Sequence, residues 1–255
     1  MTIAVNLTLR NPHSVLAALE TRPLEVTDVR ISTRKPAGAW EQVVRLAQEH
    51  RISVIQQPVR KEGGRRSKQQ AVKSGREGAA EATVKRKTDV SLKKLFAESS
   101  RSENTTGLWI ALDHIQDPHN VGAIFRTAAF FGVQGIVLTK DRSAPLNATV
   151  FDVASGGMEY VPFSIQTNLI RSLEAAKDAG IWILGSSEHA GKDVQQIPQD
   201  RPWLLVLGNE EQGLRHLTRE QCDEMCRLTP HTPVSSLNVS VAAGILIAAL
   251  TTPGN

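Results

Sequence analysis

Cysteine is nearly absent from this chain of 255 residues, which has only Cys222 and Cys226. Their spacing suits neither a disulfide framework nor a four-ligand zinc site, so we expect reduced thiols in a cytoplasmic protein. No apolar run reaches the length of a membrane-spanning helix. The first residues also lack the basic start and the cleavage site of a secretory signal. We therefore expect neither a membrane segment nor a disulfide scaffold.

Two nucleotide-binding signatures are missing as well. The glycine-containing segment 208–213 has neither the glycine spacing of a dinucleotide fingerprint nor the Lys-Ser/Thr pair of a phosphate loop. A nicotinamide dehydrogenase and a nucleotide hydrolase are therefore disfavoured. The seven histidines show no metal-ligand spacing, so we expect no bound metal ion.

Positive charge is plentiful but unevenly distributed along the chain. Residues 1–104 hold 20 Lys and Arg against 11 Asp and Glu, whereas residues 105–255 hold 10 against 15. This segregation predicts that the first part faces a nucleic acid and that the second part has another task. The most basic run, 60–94, is either a solvated linker or an arm that contacts RNA phosphates.

The first part of the chain has the pattern of a small α/β module. A helix starts near Asn11, a half-buried strand spans 26–31, and a second helix and strand follow at 40–47 and 52–55. This module carries no catalytic cluster, so we expect residues 1–60 to form an RNA-binding domain. Residues 61–104 form a basic, partly flexible segment that completes or links that domain, with a candidate strand at 79–84 and the domain boundary at 99–104.

From residue 105 onward, strand and helix signals alternate. Wholly apolar strands at 108–112, 135–139, 181–184 and 203–207 predict an α/β domain with a parallel sheet that is covered on both faces. In such sheets the ligand site lies beyond the carboxyl ends of the strands. The segments that follow these strands are therefore the places to look for a site.

The first polar segment follows the strand at 108–112. It carries Asn120, a candidate helix N-cap, and Arg126, which lies inside an otherwise apolar helix. A buried guanidinium needs an opposite charge. An internal salt bridge and a clamp for a substrate phosphate both remain open at this point.

Two further polar segments lie near the end of the chain. In the second, Gly208 precedes Asn209 and Glu210, and glycine allows a ligand to approach the backbone closely. In the third, Ser236 and Asn238 stand before an apolar stretch over 239–250, which we expect to be a helix buried on nearly every side. This last stretch is either a capped core helix or the support of a ligand site.

Together, the three segments resemble the three sequence motifs of the SPOUT-superfamily RNA ribose 2′-O-methyltransferases of the SpoU/TrmH type. The matching stretches are Asp117-Pro-His-Asn120-Val-Gly122-Ala-Ile-Phe-Arg126-Thr-Ala, Leu207-Gly208-Asn209-Glu210 and Ser236-Leu237-Asn238-Val-Ser-Val-Ala. The resemblance covers about residues 107–250 in the family's order. The first hundred residues are similar to the ribosomal-protein-like substrate-binding domain of ribosomal-RNA guanosine methyltransferases in this family.

The resemblance implies a knotted methyltransferase domain over 105–255, with a C-terminal trefoil knot, a homodimer and S-adenosylmethionine as the cofactor. It implies ribosomal RNA as the substrate, with transfer RNA second and a non-catalytic RNA-binding or ribosome-assembly factor as a further alternative. By position, the implied cofactor-binding residues are Gly208, Leu228, Leu237, Ser186 and Asn209. The implied catalytic residues are Arg126, Asn120, Glu210, Ser236 and Asn238.

The residue types fit that chemistry. Arg126 can clamp a phosphate and stabilise a developing alkoxide, while Asn120 and Asn238 orient groups and Glu210 organises the site. One stretch departs from the family pattern, because Thr232 stands where a glycine is common ahead of the Ser-Leu-Asn. This change restricts the backbone angles that the loop over 229–233 can adopt.

Overall fold

A computed structural model describes residues 5–32, 36–57, 80–97, 106–209, 213–234 and 236–252. The chain divides into two compact units, Met1–Arg86 and Lys87–Asn255. This division falls before the predicted boundary at 99–104, which lies outside the described residues. The two units are therefore taken one at a time.

The described residues of the first unit form a four-stranded sheet and two α-helices. Its elements are strand β1 (Asn6–Leu9), helix α1 (Pro12–Thr21), strand β2 (Val26–Ile31), helix α2 (Ala39–Glu49), strand β3 (Ser53–Gln56) and strand β4 (Ala80–Lys85). The strand order is β1-β4-β2-β3, with β4 antiparallel to both of its neighbours and β3 parallel to β2. The α/β module and its candidate strand at 79–84 are thus confirmed.

Local sequence explains where the first helix of this unit begins. The side chain of Asn11 accepts a hydrogen bond from the backbone N–H of His13 at 2.9 Å, which caps the helix. Pro12 follows at the first helical position, where its missing N–H costs nothing. Val15 and Leu19 lie one turn apart and are fully buried, so the helix attaches to the unit by an apolar stripe.

The second unit alternates strands and helices around a seven-stranded sheet. Its elements are α3 (Leu92–Leu95), β5 (Leu108–Leu112), α4 (Pro118–Phe130), β6 (Gly135–Thr139), α5 (Ala148–Ala154), α6 (Gly157–Tyr160), β7 (Phe163–Gln166), α7 (Leu169–Asp178), β8 (Trp182–Ser186), β9 (Lys192–Asp193), β10 (Trp203–Leu207), α8 (His216–Glu220), β11 (Glu224–Arg227) and α9 (Val239–Thr251). The strand order is β7-β6-β5-β10-β8-β11-β9, and every neighbouring pair is parallel. The predicted parallel sheet is confirmed.

Both faces of this sheet are covered. Trp109 and Ala111 of β5 pack with Leu173 of α7 in one apolar cluster. The alternate residues Ile110 and Leu112 point to the other face and are buried as well. This burial on two sides explains why β5 is apolar at every position.

The basic segment predicted at 61–104 is divided between the two units. Its strand β4 completes the sheet of the first unit, whereas helix α3 belongs to the second. Leu95 of α3 is buried in the apolar cluster, and its carbonyl accepts a hydrogen bond from the indole N–H of Trp109 at 3.1 Å. Residues 58–79 and 98–105 lie outside the described parts of the chain.

The C-terminal helix α9 differs from its prediction. It buries Val239, Ala243, Leu246 and Ile247, yet Val241 and Ile245 remain 50% and 45% exposed. The expected burial on nearly every side is therefore wrong for this chain by itself. Among the described residues, no helix combines the length and apolar character that crossing a bilayer requires.

Candidate active site

Three of the predicted cofactor residues lie at the carboxyl edge of neighbouring strands. Ser186 ends β8 and pairs with Cys226 of β11, and Leu228 follows directly after β11. Gly208 follows β10, which is the other neighbour of β8. Since adjacent strands lie about 4.8 Å apart, the strand order β10-β8-β11 places these residues side by side at the carboxyl ends of the strands.

The turn after β10 has a shape that only glycine permits. A Cβ added to Gly208 would lie 2.3 Å from the carbonyl carbon of Gly213, far inside van der Waals contact. Asn209 and Gly213 exchange both backbone hydrogen bonds, at 3.2 and 2.9 Å, and Gly213 has a φ of +64°. The backbones of Asn209 and Gly213 therefore lie side by side, whereas Glu210 lies outside the described residues.

This turn is tied to the loop that follows β5. The backbone N–H of Asp113 donates to the carbonyl of Leu207 at 2.9 Å. The side-chain amide of Asn209 donates to the carbonyl of His114 at 3.1 Å. Asn209 therefore joins the second polar segment to the start of the first.

A buried carboxylate, which the sequence analysis missed, anchors the same loop. The side chain of Asp113 is fully buried and pairs with the guanidinium of Arg215, with Nη2–Oδ1 at 2.9 Å and Nε–Oδ2 at 3.2 Å. The hydroxyl of Thr218 donates to the same carboxylate at 2.8 Å. An acidic residue directly after a wholly apolar strand was the available signal, because a buried charge needs a partner. Its partners lie about a hundred residues further along the chain.

His114 stands next to this pair in a left-handed backbone conformation, with a φ of +61°. The pKa of its imidazole is lowered below the ordinary value. Burial is the main cause, and the positive charge of Arg215 is the second. The ring is therefore neutral at pH 7. It adds no positive charge beside Arg215.

The start of α4 differs from the prediction. Asp117, rather than Asn120, is the N-cap, and its carboxylate accepts from the backbone N–H of His119 at 2.9 Å. Asn120 lies inside the first turn, where it is buried and its Oδ1 accepts from Nδ2 of Asn238 at 3.1 Å. Asn238 in turn caps α9 by accepting from the backbone N–H of Ser240 at 2.9 Å. The first and third polar segments thus meet at their asparagines.

Arg126 lies on the exposed side of α4, so the expectation of a buried guanidinium is wrong. The helix buries Ile124, Phe125 and Ala128 instead, and Arg126 falls on another face. No hydrogen bond or ion pair joins Arg126 to any residue that the structure describes, which leaves the internal salt bridge without support. The side chain lines a groove between α4 and the α5–α6 region.

The loop before α9 is open to solvent. Ser236 is exposed, and Leu237 is 49% exposed. In the stretch that departs from the family pattern, Thr229 donates its backbone N–H to Oδ2 of Asp193 at 3.1 Å, and its hydroxyl donates to the same oxygen. The hydroxyl of Thr229 is the main cause that lowers the pKa of the Asp193 carboxyl. The loop is therefore anchored at Thr229, and the residues from 230 to 234 are exposed.

The two cysteines are free thiols that take part in packing. Burial raises the pKa of Cys222 to about 11 and that of Cys226 to about 12. Within the described parts of the chain, no group of three His, Cys, Asp or Glu side chains is placed to hold a metal ion.

The family model of the SpoU rRNA methylases matches residues 107–248, which include all three polar segments. The chain belongs to the SpoU rRNA methylase family. It is 37% identical over 241 residues to the 23S rRNA (guanosine-2′-O-)-methyltransferase RlmB of Pseudomonas aeruginosa, with 92% of each chain covered. It is 44% identical over 146 residues to the RlmB of Vibrio parahaemolyticus, with 57% of this chain and 59% of that protein covered.

A solved SpoU structure has the same fold. The SpoU methyltransferase AviRb from Streptomyces viridochromogenes, crystallised in complex with the cofactor AdoMet, superimposes with a TM-score of 0.74 at 21% identity. The superposition covers 96% of this chain and 89% of AviRb. The SpoU fold is therefore present, and the roles of individual residues must be argued from their own geometry.

Proposed function

We propose that this SpoU family protein transfers a methyl group from S-adenosylmethionine to a ribose 2′-hydroxyl in ribosomal RNA. The observation that carries the proposal is the meeting of three separate polar segments. The hydrogen bond between Asn120 and Asn238 joins the first to the third, and the hydrogen bond from Asn209 to His114 joins the first to the second. The names of the RlmB relatives support both the ribose oxygen and the ribosomal RNA.

The edge formed by β8, β10 and β11 fits S-adenosylmethionine. Gly208, Ser186 and Asn209 would offer backbone and polar groups there, while Leu228 and the half-exposed Leu237 would cover the adenine with apolar surface. When bound, the cofactor supplies an electrophilic methyl group on a sulfonium. The AdoMet complex of AviRb supports this choice of cofactor.

The residues of the chain would then position the ribose. Arg126 is exposed and positively charged, so it is suited to bind the phosphate next to the target ribose and to stabilise the oxyanion as the 2′-hydroxyl gives its proton to water. A guanidinium remains charged in proteins, which makes it a poor proton acceptor. Asn120 and Asn238 would fix the N-terminus of α4 relative to the N-terminus of α9. Ser236 would lie at the solvent-facing entrance of the site, and Glu210 would organise the polar groups in it.

A second copy of the chain would complete the catalytic unit. Val241 and Ile245 lie one turn apart on α9 and expose apolar surface beside the candidate site. A homodimer that covers this face would explain why an apolar helix leaves it open. Sedimentation equilibrium tests this part, since Val241→Asp should produce monomers if the face is the dimer contact.

The remaining elements of the proposal concern topology and substrate. The trefoil knot is proposed from membership of the SpoU family, whose model matches residues 107–248. The basic first unit is suited to hold ribosomal RNA, with transfer RNA as the second choice, and the free thiols agree with action in the reducing cytoplasm. No metal ion is needed for this transfer.

Two measurements test the proposed function. Calorimetry should show binding of S-adenosylmethionine to the purified protein, and no heat of binding at millimolar cofactor would favour a non-catalytic factor. With methyl-labelled cofactor, ribosomal RNA from cells that lack the protein should take up label, whereas RNA from normal cells should not. Cofactor binding without transfer to any RNA would contradict the proposed reaction.

A further inference from the structure

The groove beside Arg126 has a neighbouring second part, which shares two lining residues with the first. Its first part, of about 450 Å³, is lined by the α4 residues Arg126, Ala129 and Phe130 and by Tyr160 of α6. A second part, of about 420 Å³, shares Ala129 and Tyr160 and extends to Lys94. We call the two parts together the Arg126–Lys94 groove. Each part has the size of an ordinary ligand site.

The middle of this groove is built to be rigid. A Cβ on Gly157 would lie 2.6 Å from the carbonyl oxygen of Phe125 and 2.9 Å from Cα of Arg126, so α6 begins directly against the backbone of α4. The ammonium of Lys87 donates to the carbonyls of Met158 at 2.8 Å and Glu159 at 2.7 Å. These contacts fix α6, and they hold Tyr160, which is 56% exposed, over the groove.

The groove combines positive charge with aromatic surface. Arg126 lies in its first part and the exposed Lys94 in its second, and no Asp or Glu is among the described residues that line either part. Residues 105–255 hold more Asp and Glu than Lys and Arg, so a groove whose described lining has no carboxylate is a local exception. Phe130 is 83% exposed, and Tyr160 lies where the two parts meet. Positive charge that alternates with aromatic rings is what single-stranded RNA requires of a protein surface.

We propose that the Arg126–Lys94 groove binds the single-stranded RNA that flanks the target ribose. Tyr160 stacks on a neighbouring base, and Lys94 contacts a phosphate further along the strand. This inference rests on the proposed function, because Arg126 is taken to hold the phosphate beside the target ribose. It adds a defined path for the strand and two positioning residues outside the three polar segments.

Steady-state methylation of ribosomal RNA, with cofactor binding measured in parallel, tests the groove. Tyr160→Ala should raise the KM for RNA roughly tenfold, the order expected when one stacked base loses its aromatic partner. Tyr160→Phe keeps the ring and should restore the KM. Lys94→Ala should raise the KM and make the salt dependence of RNA binding shallower by about 0.7 in logarithmic slope, which corresponds to one phosphate on a single strand.

Lys93→Ala is the matched control, because Lys93 is an exposed neighbour that does not line the groove. Cofactor affinity should be unchanged in all four variants.

If the wild type methylates RNA and Tyr160→Ala and Lys94→Ala keep its KM and salt slope, the groove inference is overturned while the proposed function stands. If these variants change only the sedimentation of the protein, the groove is a contact between copies and the inference is again overturned. A wild type that transfers no methyl group, yet binds a labelled single-stranded oligoribonucleotide through Tyr160 and Lys94, would support the groove and contradict the proposed function.

Discussion

Substitution of one glycine should separate cofactor binding from folding. In Gly208→Ala the new methyl group would lie 2.3 Å from the carbonyl carbon of Gly213 and 2.5 Å from the backbone nitrogen of Leu214. Carbon atoms in contact normally lie about 3.5 Å or more apart, so the turn must open by an ångström or more. The obstructing atoms belong to the backbone, and no side-chain rotation can relieve the clash.

The cost can be worked out from the hydrogen bonds that the turn would lose. Asn209 and Gly213 exchange two backbone hydrogen bonds, each with a net contribution of about 1 kcal/mol. Opening the turn therefore lowers the free energy of unfolding by about 2 kcal/mol, and if the cofactor binds only the closed turn, closing it against the new methyl group at a similar cost lowers the affinity roughly thirtyfold. Calorimetry with S-adenosylmethionine would measure this loss directly.

Gly191→Ala provides the matched control for this experiment. Gly191 is exposed, and a Cβ there would meet nothing within 4 Å, so cofactor affinity should stay at the wild-type value. Circular dichroism should show that both variants remain folded. Wild-type affinity in a folded Gly208→Ala protein would refute the reasoning that this turn holds the cofactor.

Three further predictions concern the arginine, the first unit and the thiols. Arg126→Ala should lower methyl transfer by about a hundredfold or more in a single-turnover assay and leave cofactor affinity within twofold, because its charge acts on the substrate; a comparable loss of cofactor binding would rule out that role. Removal of residues 1–86 should weaken RNA binding and flatten its salt dependence in filter binding; an unchanged salt slope would remove the case for a basic RNA-binding unit. Cys222 and Cys226, with pKa values raised to about 11 and about 12, should be almost wholly protonated at pH 8 and should react with iodoacetamide far more slowly in the native protein than in denaturant; equal rates in the two conditions would contradict their burial.

The sequence was most informative where local chemistry decides the structure. The helix start at Asn11 could be predicted from the residues next to it. Strand β5 could be predicted from the rule that buried parallel strands are apolar throughout. The order of the three polar segments pointed to the site, and the contacts of Asn120 and Asn209 show that these segments meet. Short strands with polar residues, such as β7 and β11, carried too weak a pattern to be predicted.

Long-range features could not be predicted from the sequence. Asp113 and Arg215 form an ion pair although they lie far apart in the sequence. The residues around either one do not indicate its partner. Arg126 was expected to be buried because its neighbours are apolar, but helical geometry turns it away from the face that they bury. The composition of α9 shows that apolar surface must be covered, yet it cannot say whether the same chain or another covers Ile245.

The sequence at the start of α4 contains a signal for the correct N-cap. Asp117 precedes Pro118, and proline at the first helical position is a strong marker that the residue before it is the cap. Asp117 is therefore the N-cap of α4, and Asn120 does not serve as the cap. It could instead be used inside the helix, where it binds Asn238.

The central claim is that the methyl group reaches a ribose 2′-hydroxyl, and one measurement addresses it directly. Ribosomal RNA from cells that lack the protein would be methylated in vitro with labelled S-adenosylmethionine and then hydrolysed completely in alkali. A 2′-O-methyl group blocks cleavage of the neighbouring phosphodiester, so the label should be recovered in dinucleotides. Label in mononucleotides would place the methyl group on a base and would contradict the account.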